Sequence, residues 1–213
     1  MKKSLGLIVL TSLCSPAYAV DFFLGGGGSY QSMKGEIADS ELGSYSDNAQ
    51  GGAFHLRGGL YIDNTHRLTA TINHMTDSSL YRNRLNQEPE DISTGIDLSQ
   101  TEYLISYDYL YAVSSTVSLF GGATAGLVNN RVEANFYDRS NGDNASHKGS
   151  QTDFTYGLQA GLQYKIMNNL SADLQYRHMF ESYSETINWE TGDSTTLSVP
   201  YNNQISFSID YRF

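Results

Sequence analysis

Ile205-Ser206-Phe207-Ser208-Ile209-Asp210-Tyr211-Arg212-Phe213 alternates without a break. One parity, Ile205, Phe207, Ile209, Tyr211 and Phe213, is apolar or aromatic; the other, Ser206, Ser208, Asp210 and Arg212, is polar. Successive side chains of a strand point to opposite faces, so this stretch reads as a β-strand with one apolar and one polar side.

The same period recurs upstream. Leu170, Ala172, Leu174, Tyr176, His178 and Phe180 alternate with Ser171, Asp173, Gln175 and Arg177. Phe154 to Tyr164 alternates with Thr155, Gly157, Gln159, Gly161 and Gln163, and Tyr103, Ile105, Tyr107, Tyr109 and Tyr111 form another apolar row. Phe54–Ile62 and Leu68–Ile72 behave alike, while Phe22–Tyr30 and Val117–Leu127 are glycine-rich versions. That makes eight segments, each with room for the roughly 9–11 residues that a tilted membrane strand needs. After the N-terminal stretch no run of about eighteen apolar residues remains for a transmembrane helix.

Two kinds of connection alternate along the chain. Asp63-Asn64-Thr65, Val113–Thr116 and Met167-Asn168-Asn169 are short turns; Gln31–Gln50, Ser78–Leu98, Glu133–Asp153 and Glu181–Val199 read as long polar loops. Compact soluble domains seldom carry four such loops. Outer-membrane barrels do, with short periplasmic turns and long extracellular loops. The expected fold is all-β: an eight-stranded antiparallel transmembrane β-barrel.

Charge partitions with the same boundaries. The four loops carry −11 of the −12 that remains beyond residue 19, where 11 basic side chains face 23 acidic ones. Ionised residues inside the strands fall on the polar parity: Asp21, Arg57, Arg67, Glu102, Asp108, Lys165, Asp173, Arg177, Asp210 and Arg212. A lipid-facing Arg or Lys near the midplane costs about 2–4 kcal/mol. In a barrel interior the same groups can pair, which a buried charge requires. Eight strands leave an interior just wide enough for side chains, so a salt-bridged structural core is expected ahead of a proton path or gated pore. The acidic balance disfavours nucleic acid, whose phosphates want a basic stripe.

The N-terminus reads as a secretory signal peptide over residues 1–19. Lys2 and Lys3 form the positive region, Leu5–Leu13 the apolar one, and Ala17-Tyr18-Ala19 the cleavage pattern. The barrel domain is then residues 20–213. Cys14 is the single cysteine, and Leu13 before it does not suit a lipoprotein signal.

Ile209, Tyr211 and the terminal Phe213 resemble the assembly signal of bacterial outer-membrane proteins. With the eight segments and the signal peptide, the chain resembles the OmpA-like superfamily of small outer-membrane β-barrels. That resemblance implies a Gram-negative outer membrane, contact with its lipid and lipopolysaccharide, and insertion by the β-barrel assembly machinery. It also implies a range of roles, from adhesins, colonisation factors and serum-resistance proteins to a few enzymes. With nothing after Phe213, a barrel without OmpA's periplasmic peptidoglycan-binding domain is expected.

Several local features invite sharper readings. Gly25-Gly26-Gly27-Gly28 lies inside a strand and lacks the following helix a phosphate loop requires. A hydrolase would need a base beside a nucleophile. His178 with Ser182, Ser184 and Glu181 or Glu185 is the best such cluster, but Ser182 is about 13 Å from His178 along a strand. His55, His66, His74, His147 and His178 lack metal-ligand spacing, and the carboxylates Glu88, Glu90, Asp91 and Asp97 lack EF-hand spacing. No cofactor and no metal are expected. Tyr45, Phe136, Tyr137 and Trp189 are candidate loop contacts for a host or neighbouring-cell protein, being residue types enriched in binding surfaces. Tyr81 and Tyr183, near strand tips, suit a membrane girdle. The expected function is a non-enzymatic surface protein acting in adhesion, colonisation or surface defence through acidic loops. A narrow solute channel is the alternative, and a membrane-embedded hydrolase the third.

Overall fold

The computed structural model describes residues 20–39, 43–84, 92–138, 143–188 and 194–213; the expected signal peptide lies outside them. Eight strands follow in order: β1 Asp21–Asp39, β2 Gly43–Tyr61, β3 His66–Arg84, β4 Ile92–Ala112, β5 Val117–Asp138, β6 Asp143–Met167, β7 Leu170–Asn188 and β8 Ser194–Arg212. Each pairs antiparallel with the next, and β1 pairs with β8, which closes the barrel. Over the apolar rows closure leaves no unpaired edge, the condition for a sheet to stand in hydrocarbon; beyond them the β2–β3 pairing ends at Ala53↔Met75 and the β6–β7 pairing at Tyr156↔Phe180.

The apolar parity faces outward. Phe22 and Leu24 of β1, Leu56 of β2, Ile72 of β3, Tyr103, Ile105, Tyr107, Tyr109 and Tyr111 of β4, Leu158 of β6, Leu174 of β7 and Phe207 of β8 are all exposed large apolar residues. In water such a surface would be unstable; facing lipid, it is the favourable side. Phe213 completes its row, with its amide donating to the Phe22 carbonyl at 2.9 Å.

The strands run 19–25 residues, about twice what a bilayer needs. The stretches read as long loops are therefore largely strand. Pairing continues from Asp39↔Gly43 in the first hairpin, Arg84↔Ser93 in the second, Asp138↔Asp143 in the third and Asn188↔Ser194 in the fourth. Only short connections separate the paired ends. In these extensions the period-2 signal fades while the ladder persists. Register shifts at Met33/Glu36, Met75/Ser78 and Phe180/Tyr183 mark where β1, β3 and β7 pass from the apolar rows into these extensions.

Short turns close the opposite end. In the β2–β3 turn the Asp63 carboxylate accepts from the Thr65 amide at 2.7 Å, the Thr65 hydroxyl at 2.6 Å and the His66 amide at 2.8 Å, an Asx-type turn. These donors hold the exposed Asp63 carboxyl below the usual carboxylate range, the Thr65 hydroxyl contributing most.

Candidate functional site

Among the described residues the interior side chains fall into layers. At the turn end Phe23, Tyr61, Leu110 and Phe120 form an apolar cluster. The Arg67 guanidinium stands 4.6 Å over the Phe120 ring, and that of Arg212 stands 3.8 Å over Tyr61. Arg212 also lies 3.6 Å from the rim carboxylate of Asp21.

Above this sits the ion-pair layer. Arg57 donates to Asp210 through Nε at 2.8 Å and Nη2 at 2.5 Å, a fork-like geometry, and its Nη2 is 2.8 Å from Asp173. Arg67 donates to the same Asp173 oxygen at 2.5 Å and to Asp108 at 2.9 and 3.1 Å. Gln159 and Gln163 fill the remaining acceptor sites, on Asp108 at 2.6 Å and on Asp173 at 3.1 Å. All five charged groups are buried. Three carboxylates share two guanidiniums, with amides covering the outer oxygens, which is how a desolvated charge cluster is satisfied.

The next layer is amide-rich. Arg177 donates to Gln159 at 3.1 Å and to Gln204 at 3.4 Å, and Glu102 accepts from Asn73 at 2.6 Å and from Gln204 at 2.7 and 2.9 Å. A cavity of about 10 Å³ beside Arg177, Asn73 and Ser206 has room for about one water. Towards the hairpins Gln100 donates to Glu181 at 3.1 Å, and Asn202 donates to Gln31 at 3.0 Å. Met33, Met75, Val128, Val132, Met179 and Val199, all buried, pack this end of the interior. These apolar groups at the two ends of the interior are features that the sequence reading missed. Phe23, Tyr61, Met33 and Met75 sit on the interior parity, but a scan for charge along that parity passes over them.

The eight interior charges expected to form a network thus fall into three groups, with Glu181 a further buried carboxylate towards the hairpins. Arg57, Arg67, Asp108, Asp173 and Asp210 form one network. Glu102 and Arg177 join it through shared glutamines, with no direct ion pair. Arg212 stands apart at the rim.

Among the described residues the hydrolase cluster does not assemble: Glu181 is buried in the lumen, on the opposite face from His178, and the side chain of Glu185 lies outside those residues. The His178 Nδ1 is paired with Asn203 Oδ1 at 2.7 Å, and the His178 ring packs on Phe180 and Tyr201 at 4.8 and 5.6 Å between centroids. Tyr176 donates to the same Asn203 oxygen at 2.8 Å, so His178 belongs to the outward lipid-side row. Ser184 is exposed beyond the β7 register shift, and the side chain of Ser182 lies outside the described residues. A different Ser–His contact exists, His55 with Ser208 at 2.7 Å. Both are buried in the lumen, out of reach of a substrate. Among the described residues no group of three His, Cys, Asp or Glu is placed to hold a metal.

Of the candidate loop contacts, Tyr45 stands in β2 opposite Ile37, and Phe136 and Tyr137 stand in β5 opposite Ala145 and Asn144. Their side chains, those of Tyr81 and Tyr183, and the whole of Trp189 lie outside the described residues.

The profile of the outer membrane protein beta-barrel domain matches residues 5–213. The chain belongs to that family. This outer-membrane barrel shares its fold with Neisserial surface protein A, at 18% identity over 90% of this chain and 97% of the other, TM-score 0.52. OprG from Pseudomonas aeruginosa is similar at 14% identity over 90% and 95%, TM-score 0.55, and AlkL at 14% over 93% of each chain, TM-score 0.53. No curated protein sequence matches significantly. The family places the barrel in the Gram-negative outer membrane, which makes the short-turn end periplasmic and the hairpin end extracellular.

Proposed function

We propose that this outer-membrane barrel is a non-enzymatic surface protein that acts through its four acidic outward hairpins, in adhesion, colonisation or surface defence. The observation that carries the reading is the filled lumen. An apolar cluster and a satisfied ion-pair layer fill the turn end, and methionines and valines pack with Gln31, Gln100 and Glu181 towards the hairpins, which among the described residues leaves neither a solute path nor a reactive centre in the interior. What remains is a rigid scaffold holding long hairpins above the membrane, where recognition residues usually sit. The fold it shares with a Neisserial surface protein is in keeping with that role. On this reading the partners are outer-membrane lipid and lipopolysaccharide around the wall, the barrel assembly machinery during insertion, and a host or neighbouring-cell protein at the hairpins.

The test is attachment of expressing cells to epithelial monolayers and matrix proteins, comparing the intact chain with a variant whose longest hairpin, β5–β6, is shortened across residues 134–147. Surface amounts are matched first. Loss of attachment on shortening supports the proposal; equal attachment by both forms and by empty-vector cells removes adhesion.

A further inference from the structure

At the periplasmic mouth the three short turns enclose a recess of about 310 Å³, at the lower end of the roughly 300–1,000 Å³ typical of small-molecule sites. Its chemistry is opposite to that of the rest of this chain. The charged groups lining it are Lys165 and Arg212, and no carboxylate is among them. The other polar groups are hydroxyls and amides, including Ser115, Ser118, Ser171 and Asn169, all able to donate.

The neighbouring acids are already engaged. Asp173 below the floor is held by Arg57 and Arg67. Asp63, in the adjoining turn, accepts three hydrogen bonds of its own. Asp21, 44% exposed, lies 3.6 Å from one Arg212 nitrogen, and the Arg212 guanidinium is stacked 3.8 Å over the Tyr61 ring, which holds its planar fork at the mouth. Lys165 is exposed and makes no ion pair among the described residues. A concave site lined by one sign of charge focuses its field inward and concentrates counter-ions. Lysine supplies a point charge for an oxyanion, and arginine a planar fork.

We infer that this recess binds a small phosphate-bearing anion from the periplasm, held between Lys165 and Arg212 and surrounded by serine and asparagine donors. The recess is walled mainly by turns and interior-parity residues such as Ser118, Gln163 and Lys165, with Met167 and Leu170 at its lipid-side edge. This favours a free hydrophilic anion over a phospholipid headgroup. The inference is independent of the hairpins and survives or fails apart from them.

The experiment uses the folded full chain in zwitterionic micelles, titrated with inorganic phosphate at constant ionic strength and followed by backbone amide shifts. Saturable shifts confined to Ser115, Asn168, Asn169 and their neighbours are expected. Lys165→Gln should weaken binding at least about tenfold, because a charge-assisted bond is lost, and Lys165→Arg should retain it. The source is separated in nanodiscs. Phosphate-dependent shifts in phosphatidylcholine discs assign the site to a free anion. The same shifts in phosphatidylglycerol discs without added phosphate assign it to a lipid headgroup of the same chemistry. Shifts that never saturate, or that are equal in Lys165→Gln, overturn the inference.

Discussion

The Arg57 Nη2 stands 2.8 Å from an Asp173 oxygen, joining β2 to β7 across the lumen. These strands are separated in the wall by β1 and β8, so this ion pair and its neighbours brace the barrel from inside.

Removing Asp173 leaves two guanidiniums buried with one shared acceptor fewer. Asp173→Ala should cost about 3–5 kcal/mol, the range for breaking a buried pair from one side. Reversible urea unfolding in phospholipid vesicles measures it. The exposed Lys34–Glu36 pair, at 2.7 Å, is the control, and Glu36→Gln should leave the transition where it is.

The glycine run of β1 makes a positional prediction. A Cβ at Gly27 would run into the Phe207 carbonyl of β8, whereas one at Gly28 meets nothing nearer than the Ala53 carbonyl at 3.7 Å. Gly27→Ala should therefore impair closure of β1 on β8, with loss of the heat-modifiable folded band on electrophoresis. Gly28→Ala should keep that band.

Asp63 sets a pH dependence. Its carboxyl is held low in the folded chain by Thr65 and His66, so its contribution is present above the unfolded carboxylate value and lost as pH falls through the folded one. The stability difference between wild type and Asp63→Asn should be constant from neutral pH down to about 5, shrink below about 4 and vanish at stronger acidity. Thermal unfolding across that range reads it; a difference unchanged down to pH 2 contradicts the turn's role.

His178→Ala separates a surface barrel from a hydrolase. The ring hydrogen-bonds Asn203 on the lipid side, so attachment measured at matched surface amounts should be unchanged. Abolished function in this variant would favour a catalytic histidine.

The strand faces were legible in the sequence because lipid demands an unbroken apolar parity: Tyr103 to Tyr111 or Ile205 to Phe213 leaves no other reading. The parity of the interior charges was legible for the same reason. Which charge meets which was not. Arg57 and Asp173 are far apart in sequence, and only the register of the intervening strands brings them together. The hairpin extensions were hidden as well. Between Glu133 and Asp153 the polar residues do not alternate, although pairing continues to Asp138↔Asp143. The lumen's apolar layers escaped notice because Phe23 stands between Phe22 and Leu24, within a continuous apolar run whose alternation is masked. His178 fitted the outward row from the start, and its partner Asn203 was invisible because it lies on the next strand.

Single-barrel conductance in a planar bilayer tests the central claim most directly. With Phe23, Tyr61, Leu110 and Phe120 at one end and Met33, Met75 and Met179 at the other, the inserted wild-type chain should show no stable steps above the baseline of the bare membrane. Steady ohmic steps that track the number of inserted barrels would contradict the closed lumen and move the functional surface from the hairpins into the barrel.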